Sequence, residues 1–202
     1  MFSDLLRLQL LIKFGGTWID STVLCTLDPS FKFDLPVEPA HARETESKLS
    51  SLLTQSRPSS VQKYLGADLF LFQYTPEGTT KDISISNWYI SAHSNNEVLM
   101  TLRDMLFAYW KDYDCTLDYY IFHLFFAKVA KEYSEQVAAM PYGYSMNCLV
   151  LLHHWNETFD KKKWDKLTNN VCIHKLAFRI DQKIIDNKEN YYNKIIEEYG
   201  DI

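Results

Sequence analysis

Asp4 and Arg7 stand three residues apart near the start of this chain, and Asp20, Ser21 and Thr22 follow a glycine pair, Gly15-Gly16. On a helix a spacing of three puts Asp4 and Arg7 on one face, where a carboxylate and a guanidinium can hold a hydroxyl and a phosphate together. Asp20, flanked by two hydroxyl residues, suits a hard divalent cation such as Mg2+ or Mn2+ that shares its remaining positions with phosphate oxygens. Such an ion stabilises the charge on a departing diphosphate. Each residue also has an ordinary structural use: Asp4 in a positive first helical turn, Arg7 paired with it, Asp20 at a strand end. The agreement of the glycines, Trp18 and Asp20 in one spaced set favours the chemical reading.

Those residues need a helix and a strand to hold them. Ser3 is a plausible N-cap, and apolar residues at 5, 8, 12 and at 6, 10, 14 predict a helix to Phe14 that Gly15-Gly16 stops. Thr17 to Thr26 is rich in β-branched and aromatic residues and reads as one strand, interrupted at Asp20-Ser21. Residues 38–60 are polar, Ser/Thr-rich and carry two prolines, which predicts a mobile loop. Further strands are expected at Leu69–Tyr74 and Ile83–Ala92, and helices from about Asn95 to Trp110, Leu117 to Glu132 and Asn187 to Tyr199. Val171 to Phe178 reads as a buried segment. Strands alternating with helices predict an α/β class, with residues 1–202 as a single domain.

Composition narrows the function. The 202 residues are 47% hydrophobic and 15% aromatic, so the chain can build a core. Its 21 basic against 26 acidic residues leave a net charge of −5, which excludes an electrostatic footprint for nucleic acid. Cys25, Cys115, Cys148 and Cys172 form no CxxC pair, which argues against a zinc ribbon and fits a reducing cytosol. No apolar run approaches the roughly 18 residues of a membrane span, and no signal peptide is evident. A cytoplasmic location is therefore expected.

The run SDLLRLQLLIKFGGTWIDSTV resembles the SDxxRxxxLxxxGGxYxDxD signature of DXD-type sugar transferases, which include mannosyltransferase-like enzymes and the glucosyltransferase domains of large clostridial toxins. Thr22 stands where the second aspartate usually is, and this version resembles the bacterial capsular polysaccharide synthesis family. Ser86-Asn87-Trp88-Tyr89-Ile90, Asp118-Tyr119-Tyr120-Ile121-Phe122-His123 and Ile173-His174-Lys175-Leu176 support that match across most of the chain. The resemblance implies a GT-A-like nucleotide-diphosphosugar transferase fold, N-terminally incomplete, with a mixed sheet flanked by helices. It also implies a retaining glycosyltransferase acting on a glycan or lipid-linked glycan acceptor. The resemblance further implies that Asp4 and Arg7 contact the donor and that Asp20, with Thr22 in the place of the second aspartate, lies at a Mn2+ or Mg2+ diphosphate site. The missing strand-helix-strand portion before Ser3 makes an inactive fragment, or a sugar-binding or assembly subunit, the alternative reading. It also predicts an exposed apolar edge on the sheet holding Thr17 to Cys25.

Weaker candidates each carry a structural alternative. His174 resembles a C-terminal histidine that ligates metal or diphosphate in such enzymes, with Lys175 beside it to offset phosphate charge; a satisfied core imidazole is the alternative. Asp118, read as opening the aromatic helix, matches a carboxylate that faces acceptor and reacting sugar in related transferases, and so is a catalytic candidate; a favourable helix-dipole position is the alternative. Asn87 and Trp88 lie mid-strand as substrate-binding candidates, although a buried indole is the commoner fate of such a Trp. His153 and His154, read as strand residues, would point to opposite faces and cannot easily share one ion. Lys161-Lys162-Lys163 offers a basic contact for anionic head groups, hence a possible peripheral place at the inner membrane face, or simply a solvated loop.

Overall fold

A computed structural model describes residues 2–26, 62–74 and 84–200. Residues 38–60, the expected mobile loop, lie outside them. The described residues fall into two compact units: 2–19, 62–74 and 84–145 form the first, and 20–26 with 146–200 form the second.

The first unit opens with α1 (Phe2–Phe14), which buries Arg7, Leu8, Leu11 and Ile12. Its other face presents Phe2, Leu6, Leu10 and Phe14 to solvent at a spacing of four. The Gly15 amide bonds the Leu11 carbonyl at 2.8 Å, ending the helix as the glycine pair predicts. Gly15 and Gly16 have φ of 66° and 92°, and a Cβ on Gly15 would lie 2.8 Å from the Ser94 amide nitrogen, so glycine is required there. The turn delivers β1 (Gly16–Ile19) to the edge of a three-stranded sheet ordered β1-β4-β3, with β3 spanning Leu69–Gln73 and β4 Ile85–Ala92. Both pairings are antiparallel. Before β3 comes a short helix, α2 (Gln62–Leu65); after β4 come α3 (Glu97–Asp112), α4 (Ile121–Glu132) and α5 (Ser134–Ala138). Side chains alternate along β3: Leu69 and Leu71 join Leu8, Ile90, Leu99, Leu102 and Phe126 in the helix-covered core. Phe70 and Phe72 instead meet an aromatic cluster with Tyr64, Trp88 and Tyr89.

The second unit holds β2 (Val23–Cys25), α6 (Val150–His154), α7 (Lys161–Asn170), β5 (Ile173–Lys175), α8 (Gln182–Asp186) and α9 (Tyr191–Tyr199). β2 and β5 form a two-stranded antiparallel sheet. Leu151, Trp155, Trp164, Tyr191 and Ile195 make its core. Asp160 and Asn190 cap α7 and α9 by accepting from the Lys163 and Asn193 amides at 2.6 and 2.9 Å.

The α/β class therefore stands, as small antiparallel sheets flanked by helices, and three local expectations change. The strand expected over Thr17–Thr26 is two strands, β1 and β2, that join different sheets on either side of Asp20. Both sheets are antiparallel rather than mixed; among the described residues the parallel contact is the isolated bridge Gln73–Tyr144. His153 and His154 end a helix, α6, rather than lying on a strand.

Candidate functional site

Two polar clusters hold most of the residues singled out above, one in each unit. In the first, α1 supplies Asp4 and Arg7 and β4 supplies Asn87. Arg7 is only 5% exposed, deep for a permanent cation. Its Nε donates to the Ser3 carbonyl at 3.2 Å, and its NH1 donates to the Asn87 carbonyl across the unit. NH2 faces Asp4 Oδ1 at 3.5 Å, and the Asn87 side-chain amide donates to that same oxygen at 3.2 Å. The guanidinium carbon lies 5.4 Å from the centroid of the Trp18 ring, a cation–π arrangement. Asp4, Arg7 and Asn87 are thus one hydrogen-bonded group.

Trp88 is not turned to that group as an open sugar platform. It is 6% exposed, and its ring stacks on Phe72 at 4.8 Å and 15°. This is the core-indole alternative. Asp118 does not open α4 either. It sits three residues before Ile121, exposed, with Oδ1 accepting from the Tyr120 amide at 2.7 Å in a local turn.

His123, two residues into α4, belongs among the site's neighbours although its motif carried no assigned role. It is 8% exposed, and its Nδ1 has no hydrogen-bond partner. The Tyr120 and Phe122 rings meet it edge-on at 5.4 and 5.8 Å. Burial pushes its pKa down, the Asp4 carboxylate pulls it up and the Arg7 guanidinium pushes it down again, so both charges of the pair reach it. The signal in the sequence was a single imidazole inside the apolar run IFHLFF.

The second cluster grows from the β2–β5 ladder, whose register sets Val23 opposite Lys175 and Leu24 opposite His174. Lys175 Nζ donates to Asp20 Oδ2 at 3.1 Å and also to Thr22 Oγ1. The side chains of Lys175 and Asp20 keep 20% and 27% exposure. His174 is 1% exposed; its Nε2 lies 3.2 Å from Thr26 Oγ1, while Nδ1 has no partner in hydrogen-bond geometry. Burial lowers its pKa to about 4, against a smaller opposing pull from the Val171 backbone. It also lines a cavity of about 250 Å³ with Asn147, Val150, Leu151, Leu167 and Val171.

This arrangement does not fit the divalent cation expected between Asp20, Thr22 and His174. An ammonium holds the carboxylate and the hydroxyl, and His174 is directed to Thr26. Hard cations ask for several convergent oxygens, and no group of three or more His, Cys, Asp or Glu side chains gathers among the described residues. Elsewhere, His154 Nδ1 and Lys163 Nζ both engage Glu157, the first at 2.7 Å, and Lys161 pairs with Asp165. No helix of the described residues is long and apolar enough to cross a membrane.

A family model described as capsular polysaccharide synthesis protein matches residues 1–46 and 50–195. Neither a search of curated proteins nor one of solved structures finds a match.

Proposed function

The chain belongs to the capsular polysaccharide synthesis protein family, and we propose that it works there as a glycosyltransferase of GT-A type. It moves a sugar from a nucleotide-diphosphosugar donor to a growing surface polysaccharide, on a glycan or lipid-linked glycan acceptor. The observation that carries the reading is the Asp4–Arg7–Asn87 group. A guanidinium kept 5% exposed beside a carboxylate and an amide is costly to maintain. Together the three offer what a sugar phosphate needs: a cation for phosphate oxygens, and a carboxylate and amide for hydroxyls.

In the reaction an acceptor hydroxyl oxygen bonds to the anomeric carbon. The bond from that carbon to the diphosphate oxygen breaks, and the electron pair leaves with the nucleoside diphosphate. The hydroxyl proton passes to the departing phosphate oxygen, a same-face transfer that accords with retention. The chain's part is to orient the sugar and to set positive charge where the leaving charge develops. A cytoplasmic site of action, at the inner membrane face, is part of this reading.

Isothermal titration with UDP- and GDP-sugars, in Mn2+ buffer, tests it on the wild type and on Asp4→Asn. The reading expects saturable binding of at least one donor, weakened tenfold or more by the substitution. A wild type that binds no nucleotide-sugar sinks it.

A further inference from the structure

We propose that Lys175 takes the place of a divalent cation at the Asp20–Thr22 site, its ammonium being the charge that meets the donor's diphosphate. The inference rests on the sugar-transfer reading for the identity of that anion. The geometry comes from the second unit alone. Lys175 Nζ is bound to Asp20 Oδ2 at 3.1 Å and to Thr22 Oγ1, two of the three positions expected to hold a metal. The β2–β5 pairing fixes this neighbourhood, because Leu176 N donates to the Thr22 carbonyl at 2.8 Å and Val23 lies opposite Lys175. The substitution of a hydroxyl residue for a second carboxylate now has a chemical sense. Two carboxylates around one ammonium leave a net negative charge that repels phosphate, whereas one carboxylate and one hydroxyl leave the pair neutral. An ammonium has three N–H donors, and Asp20 and Thr22 take two. The third is left for a phosphate oxygen, at a side chain that keeps 20% exposure.

Lys175 is therefore held by two oxygens that a metal would otherwise have used, and it needs no metal to be loaded. The expected behaviour is donor binding that does not respond to chelation. Asp20 acts in this scheme by orienting the ammonium rather than by ligating an ion.

The test is calorimetric titration of UDP, GDP, UDP-glucose and GDP-mannose, in EDTA and in Mn2+, on wild type, Lys175→Met and Lys175→Arg. Mn2+ alone is titrated in parallel and followed by its electron paramagnetic resonance signal. The wild type is expected to bind a nucleotide in EDTA with an affinity that Mn2+ changes less than threefold. Lys175→Met should weaken that binding at least tenfold in EDTA, and Lys175→Arg should recover most of it. Mn2+ alone should not bind the wild type saturably. Nucleotide binding to the wild type that requires Mn2+, or equal affinity of wild type and Lys175→Met in EDTA, overturns the inference. If no nucleotide binds in either buffer, the transferase reading fails by itself. The Mn2+ titration then still decides the inference, since saturable Mn2+ binding to the wild type contradicts it.

Discussion

The two units carry the same pair of ingredients in opposite states. Each has a carboxylate joined to a cation, Asp4 with Arg7 and Asp20 with Lys175, and each has a buried imidazole whose Nδ1 has no partner, His123 and His174. In the first unit the cation's side chain is 6% exposed and spends donors on the Ser3 and Asn87 carbonyls of its own chain. In the second it is 20% exposed and donates to the Asp20 carboxylate and the Thr22 hydroxyl, both in the turn before β2. A guanidinium has a fixed fork that can tie a helix to a strand and still face a ligand; an ammonium is a point charge on a pliant stem. The difference separates a cation that also ties the fold together from one that is poised on it.

The largest expected effect falls on the first. Arg7→Met leaves Asp4 and two carbonyls without their cation in a nearly dry setting, and breaking a buried pair in this way costs about 3–5 kcal/mol. Urea denaturation should show that loss as a lower midpoint with an unchanged slope. A loss below about 1 kcal/mol would erase the contrast, because Arg7 would then be no more structural than a surface cation.

Next comes the imidazole of the second unit. His174 has an ordinary pKa of 6.5 when unfolded and about 4 when folded, because burial disfavours its charge. Between those values the unfolded chain binds more protons than the folded one, so stability falls as pH drops from about 6.5 and levels off below about 4. The shift corresponds to something on the order of 3 kcal/mol. Stability measured against pH should lose much of this slope in His174→Asn, after the other groups' contribution is subtracted as a common background. An identical slope in both proteins means that His174 is reached by water and protonated in place.

His123 gives a smaller effect of the opposite sign. Its unpaired Nδ1 is a standing cost, so His123→Leu should raise stability by about 1 kcal/mol while weakening donor binding if Asp4 and Arg7 rely on it. A destabilised His123→Leu would place a partner on that nitrogen.

Local pattern made the first unit more legible than the second. The 3.6-residue spacing of α1 and its glycine stop could be read directly, and with them the shared face of Asp4 and Arg7. The interruption at Asp20-Ser21 could be read too, but not that the two halves of Thr17–Thr26 join different sheets, since both have the same strand-like composition and their partners, Tyr89–Ala92 and Ile173–Lys175, lie far along the chain. The same distance hid the Lys175–Asp20 contact, which a ladder register creates. His153 and His154 follow the run CLVLL, and a short apolar run does not distinguish a buried strand from a helix turn. Asp118 misled because a carboxylate that closes a local turn has the same sequence signature as one that starts a helix.

The smallest effect is the sharpest test of the contrast. Lys175→Met keeps most of the aliphatic stem and removes only the ammonium, and a partly exposed ion pair contributes about 0–1 kcal/mol. Its denaturation midpoint should therefore stay close to that of the wild type, where Arg7→Met collapses. Asp20 and Thr22 can turn to water when the ammonium goes, since Asp20 already keeps 27% exposure. A loss comparable to that of Arg7→Met would mean that the β2–β5 ladder depends on the pair, and that both cations are parts of the fold. An unmoved midpoint leaves the Lys175 charge with no structural duty, and binding as the reason for its place.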